Sequence, residues 1–260
     1  MYKILLLCLL TSCSFIQRKG RWGSDAFTKG SFRNVKNAII YHAKNPQFWV
    51  PLGAAAVVYG SGQDKKISRW AVKEGPLFDG VKDADKKSDD YELLFKTQMY
   101  LSVLLPASWE EDWKSYAKNK VKGAAVTYMS YSATRQAVTQ IKIAEPRQRP
   151  SRLDNESFPS GHAARASSKR HLIAHNLEAS DINPHVRTGI NSINGLMTAS
   201  VMWARVEANK HHLSDVLSGY SIGYFLSGVF YDSLLNLDTA ESLMVMPSSD
   251  KVSAVYTLSF

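Results

Sequence analysis

Apolar residues recur at helical spacing along most of the chain, in stretches closed off by proline or glycine, and only the extreme tail alternates. The pattern predicts a short helix over 35–42. Pro46 and Pro51 bracket Phe48-Trp49-Val50, and a close-packed helix rich in small residues follows over 52–59. A short amphipathic helix is expected over 64–72. Gly75-Pro76 and the charged run 83–90 read as turns and a solvated face. Longer helices are expected over 91–105, ended by Pro106, and over 109–138, charged at first and apolar with small residues over 124–131. The second half predicts a helix after Ser160, another over 190–206 and a third over 213–235, with Pro184 separating the first two. In the tail, Val252, Ala254, Tyr256, Leu258 and Phe260 alternate with Ser253, Val255, Thr257 and Ser259, a period-two strand signal. Residues 242–246 are its expected partner through Pro247-Ser248-Ser249-Asp250. The predicted fold class is all-α, a helical bundle with a short C-terminal β-hairpin. One hairpin cannot close a membrane barrel, because lipid does not tolerate open strand edges.

Three stretches lack charge for long enough to be weighed as membrane spans: 45–63, 188–204 and 216–231. The first carries two prolines and three glycines, the second two asparagines and several small polar residues, and the third is short. After His162, Arg165, Lys169 and Arg170 fall within one helical stretch, which is prohibitive in hydrocarbon. A soluble bundle fits better. The N-terminus does suit export: Lys3 precedes the apolar run 4–10, which is too short to span a bilayer of roughly 20 residues. Leu10-Thr11-Ser12-Cys13 resembles the bacterial lipobox, in which the cysteine is lipidated, and an ordinary secretory signal is the alternative. The expected organisation is a lipoprotein signal peptide over 1–12, lipidated Cys13 and a polar basic tether over 13–34, a helical domain over 35–238, and a hairpin or extension over 239–260. No cysteine follows Cys13, so the body can hold neither a disulfide nor a thiolate metal site. The formal net charge of +9 is scattered, with Lys65-Lys66 and Lys86-Lys87 beside acids. This argues against nucleic acid, which needs a dense basic stripe, and suits a phosphorylated substrate or an anionic lipid surface.

The candidate chemistry lies between Lys142 and Asp215. Lys142, six residues, then Arg149-Pro150; Pro159-Ser160-Gly161-His162; and Arg205, five residues, His211, three residues, Asp215 together supply three cations, two imidazoles and a carboxylate. A carboxylate four residues from His211 can bind one ring nitrogen and fix the tautomer, leaving the other free to attack phosphorus. Alternatively Asp215 only caps a helix. Ser160 can cap the helix after it, and Gly161 lets the backbone approach an anion at the exposed amides of the helix start. His162 beside them can protonate a leaving oxygen. Lys142, Arg149 and Arg205 can neutralise the non-bridging oxygens of a phosphoryl group.

In order and spacing, Lys142, Arg149, Pro150, Pro159, Ser160, Gly161, His162, Arg205, His211 and Asp215 resemble the signature of the type 2 phosphatidic acid phosphatase and vanadium haloperoxidase superfamily. Val216-Leu217-Ser218-Gly219 extends the resemblance. It implies that His211 is the nucleophile forming a phosphohistidine, Asp215 its orienting partner and His162 the general acid. Lys142, Arg149, Ser160, Gly161 and Arg205 would hold the phosphate. No metal or cofactor is implied, though vanadate or phosphate can occupy such a site. Ala204 stands where the family has serine, and Asn209 where glycine is common. Arg147 adds a further cation; His171, His175, His185 and His212 match nothing catalytic and read as surface or packing residues. The expected function is a metal-independent phosphatase for phosphomonoesters or pyrophosphates, lipid-linked, on a membrane surface outside the cytoplasm of a Gram-negative bacterium. A periplasmic phosphatase for soluble monoesters, a vanadium-dependent haloperoxidase and a non-enzymatic envelope protein are the alternatives.

Overall fold

The computed structural model describes residues 22–28, 31–107, 112–237, 244–248 and 251–255. Up to Leu237 the described residues form eight helices: α1 (Ser31–Lys44), α2 (Pro46–Gly60), α3 (Asp64–Glu74), α4 (Gly80–Ser102), α5 (Trp113–Ala144), α6 (Gly161–Glu178), α7 (Pro184–Glu207) and α8 (Leu213–Leu234). Local sequence sets most of their ends. Asn45 and Asn183 cap α2 and α7 with side-chain oxygens, each followed by a proline in the first turn. Asp112 accepts from the amides of Lys114 and Ser115 to start α5. Gly75, at φ 48, closes α3 in the left-handed conformation. Pro51, expected at a boundary, lies inside α2 because the chain is already helical from the Asn45 cap.

Helix α8 is the axis of the bundle, packed by α1, α2, α5 and α6. Its closest neighbour is α6, and small residues make the approach possible. Gly219 faces the Ser160 carbonyl, which a Cβ would meet at 2.5 Å, and Gly223 faces the Ala164 carbonyl. Apolar residues form two clusters around this pair. One joins Phe95, Met99, Val126, Leu172, Val201 and Tyr231; the other joins Ala55, Ala71, Met202, Val206, Leu217 and Tyr220. Between α1, α6 and α8 the core is polar. His42 Nε2 meets Asp232 Oδ2 at 2.7 Å, His171 and His175 approach through their Nε2 atoms at 3.1 Å, and the Tyr231 hydroxyl donates to Asn176 at 2.8 Å. Helices α4 and α5 both pack on α6 but barely on each other, which leaves a cleft between them.

Two expectations need correction. The fold is all-α, with no strand in the bundle. Met244–Ser248 and Lys251–Val255 run antiparallel to each other, with Met244 opposite Val255, but form no layer on the helical body. The bundle closes its own apolar faces helix against helix, and a lone two-stranded ribbon is marginal without a face to pack on. The run 83–90, read as turns, is helical and belongs to α4. Its charged residues hid the period, since the helix buries only a narrow stripe at Ala84, Ser88, Phe95, Met99 and Ser102. Within the stretch expected as a tether, Trp22 and Ala26 are buried while Phe27 is exposed. Trp22 is buried and donates to the Tyr231 hydroxyl at 2.9 Å, and the Phe27 amide donates to the Leu234 carbonyl at 3.0 Å. The signal peptide and Cys13 lie outside the described residues.

Candidate active site

The turn between α7 and α8 doubles the chain back on itself. Arg205 is in the last turn of α7, and the amides of Lys210 and His211 both donate to its carbonyl at 3.2 Å. Asn209 makes the reversal at φ 58, a left-handed conformation that asparagine tolerates better than most residues. This explains why asparagine can replace glycine there. His211 is thereby returned to the side of Arg205, and α8 starts two residues later.

Asp215 is fully buried in the first turn of α8. Its Oδ2 accepts from the His212 amide at 2.8 Å and from Ser157 Oγ at 2.5 Å, and its Oδ1 accepts from Arg147. Its main-chain carbonyl accepts from the Ser160 amide at 3.0 Å. The carboxylate therefore caps α8 and does not bind the His211 ring, contrary to the pairing expected from their spacing. His211 Nδ1 instead lies 2.6 Å from the Ser157 carbonyl. A carbonyl only accepts, so Nδ1 carries the proton and Nε2 is the unprotonated nitrogen. Ser157 joins the two groups, its hydroxyl on Asp215 and its carbonyl on His211. Among the described residues nothing hydrogen-bonds His211 Nε2.

The three expected cations surround this ring. Burial first, then the charges of Arg205, Lys142 and Arg149, push His211 well below the usual histidine range. The ring therefore stays neutral and nucleophilic at neutral pH. Lys142, near the end of α5, donates to the Glu156 carbonyl at 2.5 Å; burial and the neighbouring Arg149 push it down to about 8. Arg149 Nε donates to Asp154 Oδ1 at 2.6 Å, and another of its nitrogens lies 3.5 Å from the Lys210 carbonyl. Arg205 donates to Asp85 Oδ1 at 2.6 Å and to Ser88 Oγ at 2.9 Å, while its buried Nε has no partner among the described residues.

Ser160 caps α6, so Gly161 and His162 are its first two residues and their amides have no carbonyl four residues back in the helix. His162 Nε2 lies 2.8 Å from Asp89 Oδ1 and 3.2 Å from Glu92 Oε2. Burial, with Arg205 and Arg165, pushes His162 down to about 4. Burial works against ionisation of Glu92, but Arg165, Lys169 and His162 outweigh it and hold the carboxyl down to about 2. Ala204, where a serine hydroxyl was missing, is fully buried.

Two sets of residues were not anticipated. Asp85, Asp89 and Glu92 of α4 face the cations and imidazole of the site, and Lys210 also reaches Asp85 at 3.4 Å. Their spacing of four and three residues is a helical signal, hidden once 83–90 is read as turns. Arg147, expected as one more cation for the ligand, is instead committed to protein. It bridges Asp215, Ser214 and Asp64 (the last at 2.8 Å) and stacks on the Tyr59 ring. Nothing in its sequence position distinguishes this role. His212 turns away from His211 toward Ser68 Oγ at 3.2 Å; His171 and His175 are core residues and His185 is exposed. Among the described residues no three His, Cys, Asp or Glu side chains converge as metal ligands.

This arrangement can hold a tetrahedral oxyanion between Lys142, Arg149 and Arg205, present it to His211 Nε2, and offer it the amides at the start of α6. A family model described as the PAP2 superfamily matches residues 97–237, more than half of the chain. Among solved structures, a transmembrane PAP2 type phosphatidylglycerolphosphate phosphatase from Bacillus subtilis is similar at 18% identity and a TM-score of 0.48, covering 71% of this chain and 92% of that one. No curated protein matches.

Proposed function

Because this chain belongs to the PAP2 superfamily and is a phosphatase, we propose that it hydrolyses lipid-linked phosphomonoesters or pyrophosphates through a phosphohistidine on His211. The observation that carries this reading is the His211 ring: buried, neutral, proton fixed on Nδ1 by the Ser157 carbonyl, Nε2 unengaged, and ringed by three cations. In the first step Nε2 bonds to phosphorus as the ester P–O bond breaks, and His162 in its protonated form, the minor form at neutral pH and more populated as pH falls toward 4, gives its proton to the leaving oxygen. In the second, His162 takes a proton from water as the oxygen attacks phosphorus and the P–N bond breaks, which frees phosphate and His211. Lys142, Arg149 and Arg205 offset the charge gathering on the equatorial oxygens, with Ser160 and the Gly161 amide as further donors. The unpartnered Arg205 Nε fits such an oxygen. Asp215 positions His211 indirectly, through Ser157. No metal is required, since fixed cations already supply the charge a metal would.

Support for a lipid-linked substrate comes from the surface. Val103, Leu104, Tyr116, Val121 and Ala124 line an apolar groove of about 310 Å³ at one end of the cleft between α4 and α5. No helix among the described residues is long and apolar enough to cross a membrane. The basic start, the apolar run and Leu10-Thr11-Ser12-Cys13 support the reading of an exported protein with a lipid anchor at Cys13, working at the periplasmic surface of a Gram-negative outer membrane. Purified protein should release phosphate from an aryl phosphate, and orthovanadate, which mimics the trigonal transition state, should inhibit it. His211→Ala should lower kcat by at least about a thousandfold; retention of most of the activity would refute the assignment.

A further inference from the structure

The cleft between α4 and α5 opens beside His162 into a cavity of about 620 Å³ that the chemistry above leaves unused. Its near wall is shared with the site. Asp89 and Glu92, the partners of His162 Nε2, line it, together with Arg165 and Lys169. These four are committed to one another and to His162: Arg165 grips both oxygens of Glu92, and Lys169 reaches the same carboxylate at 3.2 Å. Farther in, the lining changes. Helix α4 adds Lys96 and Tyr100, and α5 adds Tyr128, Tyr131 and Arg135. Lys96 and Arg135 are exposed and form no ion pair among the described residues. Lys96 is seven residues beyond Asp89, so it stands about 10 Å farther along the helix at the standard rise per residue.

We propose that this cavity receives the leaving group, and that the leaving group is a polyol or sugar carrying a second anionic group held by Lys96 and Arg135. The inference rests on His162 as the acid for the leaving oxygen, because the cavity begins at Asp89 and Glu92, the carboxylates that hold that imidazole. The tyrosines give flat faces and hydroxyls for a polyol. Two cations without carboxylate partners at the far end give a distal anion its counter-charge. The separation is what selects the class. A phosphoanhydride carries its second phosphoryl one oxygen from the first, level with Asp89 and Glu92, where the only cations lining the cavity, Arg165 and Lys169, are already held by Glu92. A polyol or sugar spans the distance and places its anion beyond those carboxylates. The site is thus built for a monoester with a charged, extended head rather than for a pyrophosphate.

Gluconate 6-phosphate and glucitol 6-phosphate differ only in a distal carboxylate, and the full-length protein should discriminate between them. We expect kcat/KM about tenfold higher for the gluconate ester, the scale of one charge-assisted hydrogen bond. The preference should fall with added salt, because the two cations are exposed. The ratio of the two constants is the readout. It should approach unity in the Lys96→Ala/Arg135→Ala double variant and stay at the wild-type value in Lys65→Ala/Lys66→Ala, which removes an equal charge elsewhere on the surface. A wild-type ratio near unity, or a preference that survives the double variant, overturns the cavity assignment while leaving the phosphatase reading intact. Turnover of an aryl phosphate but of neither sugar ester overturns it as well. If no ester of any kind is turned over, the phosphatase reading fails and the inference falls with it.

Discussion

His211 receives its tautomer from a backbone carbonyl, and the carboxylate nearest in sequence reaches it only through Ser157. A carbonyl does not titrate, so the nucleophile's proton is held in place over a wide pH range. The cost falls on Asp215, which is buried and needs its own counter-charge. Arg147 supplies it, together with a second bridge to Asp64 that ties α3 to the start of α8. Removing one partner of such a buried network leaves carboxylates uncompensated. Arg147→Ala should therefore lower stability by about 3 kcal/mol in urea denaturation and reduce activity through misplacement of the α8 start. Unchanged stability would place Arg147 outside the structural framework. The motif spacing was enough to gather Lys142, Arg149, His162, Arg205 and His211 in one place, because each sits at a turn or helix end whose geometry local sequence sets. It was not enough to say which group faces which. The Asp215 carboxylate had two plausible partners, and the choice depends on the 157–160 segment, which arrives from elsewhere in the chain.

At the scale of elements, the site depends on how closely α8 approaches α6. Gly219 and Gly223 let the backbones meet, and this brings the His211–Asp215 turn against Ser160 and the start of α6. Gly219→Ala forces a Cβ into the Ser160 carbonyl, and overpacking of this kind costs about 1–3 kcal/mol. Its Tm and its kcat should both fall. Gly189→Ala on α7 has nothing within 4 Å and should leave activity unchanged while keeping or slightly raising Tm. Helix positions were largely readable from proline, glycine and apolar period. The acidic half of α4 was not, because its exposed face is almost uniformly charged and its buried stripe uses alanine and serine. The missed run carries Asp85 and Asp89 to the site, with Glu92 just inside the helix expected from 91, so a missed half-helix became a missed set of functional partners. The tail shows the opposite failure. Its alternation is a real strand signal, but a pattern of period two does not guarantee a surface to pack against.

For the molecule as a whole, the polar core between α1, α6 and α8 makes stability depend on pH. His171 and His175 are fully buried. Burial and neighbouring charge hold His171 well below its usual value, and burial, with His42 as a further charge, pushes His175 down to about 4. His42, Asp232 and Arg170 are the other charged or titratable groups against this cluster. An unfolded chain protonates these rings near pH 6.5, whereas in the folded chain both lie below that, His175 at about 4, so the unfolded state binds more protons as pH falls below 6.5. Stability should be level above about pH 6.5 and decline as pH falls toward 4. Urea midpoints measured across that range check this, and a midpoint that rises on acidification would contradict the neutral core. A bundle that keeps two neutral imidazoles at its centre also supports a site whose nucleophile is neutral for the same reason.

The central claim is that His211 carries the phosphoryl group during turnover. Rapid quench of the enzyme with a labelled aryl phosphate, followed by peptide mapping under alkaline conditions that preserve phosphohistidine, tests it directly. The label should appear on His211 within a single turnover and be absent from the His211→Gln protein. Label on His162, or turnover with no labelled histidine, would contradict the account.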